Sequence, residues 1–148
     1  MGTTWDPGEA GDLRRRRRAD TARRLVELAD PLPEHERALV RHVFDQGRPV
    51  TELAALLGEP VRRVRLRIRK LVDRLTDPRF SFVLARSRDW PSSRRSIAEA
   101  CFVRGESMRE ASDRLGMSLH TVRRHRDAVE AMFEAAAELA AMGPRGAS

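Results

Sequence analysis

Cysteine and aromatic residues are scarce in this chain. Its 148 residues include one cysteine, Cys101, no tyrosine, and only 5% aromatic residues. A single cysteine excludes an internal disulfide, and no run of about 18 apolar residues is present that could span a membrane. The sequence therefore predicts a cytoplasmic protein without membrane partners, in which Cys101 is a buried structural thiol within an apolar stripe.

Residues with catalytic or metal-binding spacing are also missing. Of the four histidines, His120 and His125 lie five positions apart, off the i, i+4 spacing that shares a helix face. No cysteine or acidic cluster completes a tetrahedral metal set, and neither a glycine-rich phosphate loop nor a nucleophile with an adjacent base is recognisable. We therefore expect no metal, no cofactor and no enzymatic activity.

Basic residues are abundant, and nearly all of them are arginine. The formal net charge is +7, and Lys70 is the only lysine. A polyanion would gain from the release of condensed counterions, which makes nucleic acid the leading partner. Basic domains also bind membranes and acidic proteins, and a GC-rich genome can enrich arginine without any selection for binding.

An internal repeat organises the sequence. Residues 33–75 align with residues 91–133 without a gap, at an offset of 58 positions and with nine identities. Most of the other aligned apolar positions are apolar in both copies. Such self-similarity predicts one fold used twice.

Each copy is predicted to form three helices, because apolar residues recur at helical spacing and Leu, Val and Ala dominate the apolar content. In the first copy, Gly47 and Gly58 end the first two helices, and the third follows Pro60. In the second copy, Ser118 is the predicted N-cap of the third helix, whose apolar stripe continues as far as Gly143. Between the copies, Asp77 and Pro78 predict the start of a connecting helix.

A short helix, a turn that glycine accommodates and a following helix with an exposed face together indicate a helix-turn-helix. The segment VTELAALLGEPVRRVRLRIRKL has this pattern with Ala54 and Gly58, and MREASDRLGMSLHTVRRHRDAV has it with Ser112 and Gly116. The stretch LPEHERALV followed by VTELAALLGEPVRRVRLRIRKLV resembles region 4 of bacterial sigma factors, which recognises a promoter element. The second copy, with LGMSLHTVRRH, resembles the same superfamily and equally the helix-turn-helix of response regulators and quorum-sensing activators. Nothing resembles the aromatic-rich sigma segment that melts DNA, so a complete sigma factor is not expected.

We therefore predict an all-α fold with two tandem three-helix helix-turn-helix units, a basic N-terminal helix and an extended C-terminal helix. The predicted boundaries are a disordered tail at 1–11, the basic helix at 12–30, unit 1 at 31–76, a connector at 77–90, unit 2 with the extended helix at 91–142, and a tail at 143–148.

The resemblance also implies which residues face the major groove of DNA. In the first copy these are Arg62, Arg63, Arg65 and Leu66, with Arg69 and Lys70 expected on backbone phosphates; in the second they are Ser118, His120, Thr121, Arg123 and Arg124. The arginine-dominated first copy suits backbone attraction, and the more varied second copy suits base discrimination. For both copies the alternative is that these side chains only form a solvated face.

The leading functional hypothesis is a nucleoid-associated regulator of bacterial transcription that binds double-stranded DNA. One alternative is an adaptor that docks on RNA polymerase or another regulator, suggested by Arg126 and Glu130 where the first copy has Ile68 and Val72. Another is an accessory subunit in DNA packaging or recombination. The apolar stripe at 129–140 is compatible with a homodimer interface or with packing on the N-terminal helix. The arginines at 14–18 are compatible with a DNA-binding arm or with a disordered basic tail.

Overall fold

The computed structural model describes residues 7–143, which form α-helices joined by short turns. Eight α-helices and no strand occur in this range, which confirms the all-α prediction. The helices are α1 (Pro7–Leu28), α2 (Glu34–Val40), α3 (Val50–Leu57), α4 (Val61–Thr76), α5 (Pro78–Arg86), α6 (Ser92–Ala98), α7 (Met108–Leu115) and α8 (Leu119–Ala141).

The chain divides into two compact units, Met1–Asp73 and Arg74–Ser148. The division falls within α4, so the last turn of this helix belongs to the second unit. The finer domain boundaries expected from the sequence remain predictions.

In the first unit, α1 packs against α2 and against the wide helical turn that follows α2. Leu25 of α1 and Ala29, which follows the helix, are buried there. The helix begins at Pro7, so the expected disordered tail is wrong for residues 7–11. Proline is tolerated at a first helical position, and Asp12 forms an i, i+3 ion pair with Arg15 near the helix start, which supports the longer helix. Residues 1–6 of that expected tail, and 144–148 of the C-terminal tail, lie outside the described residues.

Apolar side chains of α3 and α4 contribute to the buried core. Leu53 and Ala54 of α3 and Val64 and Leu71 of α4 are buried. Complete burial of a side chain such as Val64 contributes about 1.5–3 kcal/mol to folding. The face of α4 opposite to these residues is left to solvent.

In the second unit, α5 is part of the core. It begins at Pro78 with Asp77 as N-cap, whose carboxylate accepts a hydrogen bond from the Arg79 backbone N–H at 2.9 Å, as the sequence predicted. Phe80 and Val83 are fully buried. Four further residues from α6 to α8 form a buried cluster: Ile97, Ala100, Ala111 and Val122.

The repeat in sequence is also a repeat in local structure. Helices α2, α3 and the start of α4 recur 58 positions later as α6, α7 and the start of α8. The π-helical turns Arg41–Asp45 and Glu99–Val103 stand at the same offset, and nothing in the apolar pattern had indicated them. Each widens its helix by one residue, because the N–H of Gln46 donates to the carbonyl of Arg41 and that of Arg104 to Glu99, both at 2.9 Å.

Candidate nucleic-acid interface

The turn before each long helix has the same backbone geometry in both copies. Gly58 has φ 63° and ψ 29°, and Gly116 has φ 65° and ψ 30°, a left-handed conformation that costs other residues about 1 kcal/mol or more. The N–H of the following residue donates to the carbonyl of Ala54 in the first copy (3.0 Å) and of Ser112 in the second (3.2 Å). This bond closes the turn and fixes the direction in which α4 or α8 leaves it.

Small side chains lie beneath both turns. Ala54 is buried at 2% exposure, and Ser112 is half-buried with its hydroxyl donating to the Met117 carbonyl at 2.6 Å. The second copy therefore has a side-chain bond across its turn that the first copy cannot make. Both residues occupy the positions that the sequence pattern assigned to a close helix crossing.

The start of α4 is stabilised without a side-chain cap from Pro60. The N–H groups of Arg63 and Val64 donate to the Pro60 carbonyl at 3.0 and 3.3 Å, so the helix begins at Val61, aligned with Leu119 in the second copy. The guanidinium of Arg67 then reaches back to both carboxylate oxygens of Glu59, at 3.0 and 2.8 Å. This pair connects the turn to the second turn of α4.

The outward face of α4 carries cations that have no protein partner. The side chains of Arg62, Arg63, Arg65, Arg69 and Lys70 are all exposed, and within residues 7–143 none forms an ion pair or side-chain hydrogen bond. Leu66 lies among them at 49% exposure. A shallow groove runs along this face, with Val61, Arg62, Arg65, Leu66 and Arg69 on its wall. The structure therefore places every predicted contact residue of the first copy at the surface.

In the second copy, Ser118 caps α8 and also holds Thr121. The Thr121 N–H donates to Ser118 Oγ at 3.1 Å, and the Ser118 hydroxyl donates to Thr121 Oγ1 at 2.8 Å. Thr121 is half-buried, whereas His120 next to it is exposed. Of this pair, His120 is the side chain free to meet a ligand, and Thr121 stabilises the first turn.

Arg123 and Arg124 extend the exposed surface of α8, and neither has an ion-pair partner among the residues that the structure describes. Arg124 acts on its neighbour His125, whose pKa is lowered by burial and by the positive charges of Arg124 and Arg94. The Nδ1 atom of His125 is buried, and no hydrogen-bond partner for it exists in the described part of the chain. His125 is therefore a half-buried histidine whose Nδ1 is shielded from solvent.

Several other arginines are held by carboxylates and are thereby distinguished from the candidate set. Arg48 pairs with Glu52 at 3.3 Å, and Arg104 and Arg114 both bind Glu106, at 3.1 and 2.7 Å. Counting arginines in the sequence cannot separate these from the unpaired ones. The run at 14–18 lies exposed on α1, so it is helical rather than part of an unfolded tail.

Metal clusters and membrane-spanning helices were sought among the same described residues. Between residues 7 and 143, no group of three His, Cys, Asp or Glu side chains is arranged to hold a metal ion. No helix in this range has the length and apolar character needed to cross a membrane. Comparisons with protein-family models, with curated proteins and with solved structures return no match.

Proposed function

We propose that this chain is a sequence-specific regulator of transcription that binds double-stranded DNA through two tandem three-helix helix-turn-helix units. The observation that carries the proposal is the outward face of α4, where five cations are exposed and unpaired on a helix that follows a glycine turn. Unpaired cations on a rigid helix are available to neutralise phosphates without first breaking an ion pair. The recurrence of the same turn before α8 supports a second unit of the same kind.

The two units divide the task unequally in this proposal. The first presents almost only arginine and lysine, which bind phosphate oxygens of any sequence. The second presents His120, Arg123 and Arg124, a more varied set of donors for base edges. We infer an anchoring first unit and a discriminating second unit.

Titration of a fluorescent duplex with the full chain at low and moderate salt tests DNA binding. The informative variant is R65A/R123A, which removes one aligned exposed arginine from each unit. We expect its affinity to fall by about tenfold or more, and its salt dependence to weaken by about one counterion per lost phosphate contact. Helicity should be unchanged in circular dichroism.

The matched control is R48A/R104A, which removes the same charge from two arginines that are already paired with carboxylates. This variant should bind duplex almost as the native chain does. Absence of duplex binding by the native chain at low salt would refute the proposal. Selection of bound sequences from a random duplex pool then identifies the preferred site and the spacing of its halves.

An adaptor that docks on RNA polymerase is the second candidate function. It rests on the end of α8, where Leu139 and Met142 are each 70% exposed beside a groove of about 440 Å³ that includes Trp90 and Met132. Large exposed apolar side chains near a groove are typical of protein contacts. Retention of polymerase by the DNA-free chain, lost in L139E, would favour this function.

A further inference from the structure

A cavity of about 310 Å³ lies within the second unit, beside α8. This volume is at the lower end of the range for small-molecule pockets. Its walls come from the last turn of α4, from α5, from the second π-helical turn and from α8. The residues that matter here are Arg74, Arg79, Cys101, Phe102, Arg126 and Glu130.

The two copies of the repeat differ in chemistry at the cavity. Three of its residues are polar or polarisable, whereas the first copy has aliphatic side chains at the aligned positions. The pairs are Cys101 with Val43, Arg126 with Ile68, and Glu130 with Val72. The common fold does not require polar groups at these positions, because the first copy forms the same helices without them. Glu130 is paired with Arg79, so this pairing leaves Arg126 and Cys101 unexplained.

Three arginines and two carboxylates, Asp77 and Glu130, line the cavity, so its formal charge is positive. Arg79 bonds to Asp77 at 3.4 Å. Glu130 is occupied by the guanidinium of Arg79, whose Nε lies 2.9 Å from Glu130 Oε2. Arg126 is half-buried, and its one hydrogen-bond contact within residues 7–143 is the Met108 sulfur at 3.9 Å from its Nη1. A thioether is a weak acceptor, whereas a guanidinium has five N–H donors. Arg126 thus brings a positive charge and unused donors to a concave site.

A second arginine reinforces the positive potential. Arg74 is half-buried, and desolvation lowers the pKa of its guanidinium. Partial burial of the Arg126 guanidinium carries a desolvation cost, which an anion beside it would offset. Cys101 and Phe102 supply a less polar surface on the side of the π-helical turn.

We propose that this cavity, the Arg126 pocket, binds a small organic anion whose carboxylate or phosphate group accepts hydrogen bonds from Arg126. Arg74 adds attraction for the negative charge, and the body of the ligand lies against Phe102 and Cys101. The site needs no DNA, so it is independent of the function proposed above.

Isothermal titration of the full chain with citrate, and separately with inorganic phosphate, tests the pocket in the absence of DNA. We expect saturable binding of at least one of the two anions. The anion that binds with the higher affinity identifies the preferred head group, carboxylate or phosphate. The key variant is R126I, which introduces the residue that the first copy has at this position. Its affinity should fall by at least about tenfold, because charge-assisted hydrogen bonds to the anion are lost.

R88I is the matched control, since it removes the same charge from an exposed residue of the same unit that lies outside the pocket. Its affinity should equal that of the native chain. Binding by R126I as tight as by the native chain would overturn the proposal. So would the absence of saturable binding of both probes by the native chain.

Chemical modification of Cys101 gives a second measurement that does not depend on a variant. Cys101 is the only cysteine, so an uncharged maleimide reports on this position alone. Burial raises the pKa of its thiol, so the reaction should be slow. A saturating concentration of the anion should slow the reaction of Cys101 with maleimide further, by about twofold or more. An unchanged rate at a probe concentration that saturates the calorimetric signal would place the anion elsewhere.

Discussion

The guanidinium of Arg79 joins α5 to α8 through the carboxylate of Glu130. Its Nε lies 3.0 and 2.9 Å from the two oxygens of Glu130, and its Cζ lies 4.7 Å from the centre of the Phe133 ring. The hydrogen bond and the charge of Glu130 raise the pKa of Arg79. Glu130, which replaces Val72 of the first copy, therefore has a partner and is not a defect in the second core. The sequence analysis based the adaptor hypothesis on Arg126 and Glu130, and the pairing of Glu130 with Arg79 removes one of these two arguments.

We expect Arg79 and Glu130 to be energetically coupled. The variants R79M and E130Q should each lower the free energy of unfolding by about 1 kcal/mol, because the pair is about one-third exposed and partly screened by solvent. The double variant should lose less than the sum, with a coupling of about 0.5–1 kcal/mol in urea denaturation. E134Q, on an exposed residue of the same helix, should change stability by less than about 0.5 kcal/mol. Strict additivity of the two substitutions would contradict the coupling.

Gly105 is expected to tolerate a side chain less well than its repeat partner Gly47. Both have positive φ, 69° and 62°, so alanine should strain either position by about 1 kcal/mol. A Cβ at Gly105 would also require the half-buried side chain of Arg74 to move, whereas at Gly47 no atom lies within 4 Å. G105A should therefore lower the free energy of unfolding by more than G47A does.

The collision can be separated from backbone strain with a third substitution. In an R74A background Arg74 no longer occupies the space beside residue 105. The cost of G105A should then fall to about that of G47A, as measured by urea denaturation of the native chain, G47A, G105A, R74A and R74A/G105A. If G105A costs the same with and without the Arg74 side chain, the extra loss has another origin.

His125 is expected to make the fold sensitive to mild acid. Burial and two neighbouring arginines, Arg124 and Arg94, hold its folded pKa below the ordinary value of a histidine side chain. The unfolded chain therefore binds more protons than the folded chain between the two pKa values, and the free energy of unfolding must decrease as the pH falls through that window. Above the unfolded pKa the contribution of His125 is fully retained.

Denaturation of the native chain and of H125Q at about pH 7.5 and pH 5.5 tests this assignment. H125Q should lose less stability than the native chain between the two values. The test compares the slopes of the free energy of unfolding against pH for the two proteins, because the substitution also changes packing at neutral pH. Parallel stability curves would assign the acid sensitivity to other groups.

The sequence predicted those features of the fold that depend on neighbouring residues. The capping residues Asp77 and Ser118 are confirmed because a cap acts on backbone N–H groups two or three positions away. The start of α1 was missed because Pro7 is compatible both with a tail and with a first helical turn. The π-helical turns were also missed, since one additional residue per turn hardly alters an apolar stripe.

Side-chain partners were the least predictable part of the candidate site. Arg67 and Arg65 look alike in the sequence, yet Arg67 is held by Glu59 and Arg65 is unpaired within the described range. Arg79 and Glu130 are 51 positions apart, and only the packing of α5 on α8 brings them together. Likewise, the sequence predicted that Thr121 contacts DNA, but its hydroxyl is engaged by Ser118.

The proposed division between anchoring and discriminating units predicts two kinds of loss in DNA binding. R69A or K70A in the first unit should weaken binding to all duplexes about equally and reduce the salt dependence by about one unit, because these side chains are expected to contact phosphates. H120A in the second unit should change the order of preference among sequences, with a discrimination of about 1–3 kcal/mol at the affected base pair. His120 is the better test than Thr121, since T121A would also disturb the cap of α8. Binding to a panel of duplexes at three salt concentrations separates the two effects, and equal losses on every sequence for both groups of variants would contradict the division.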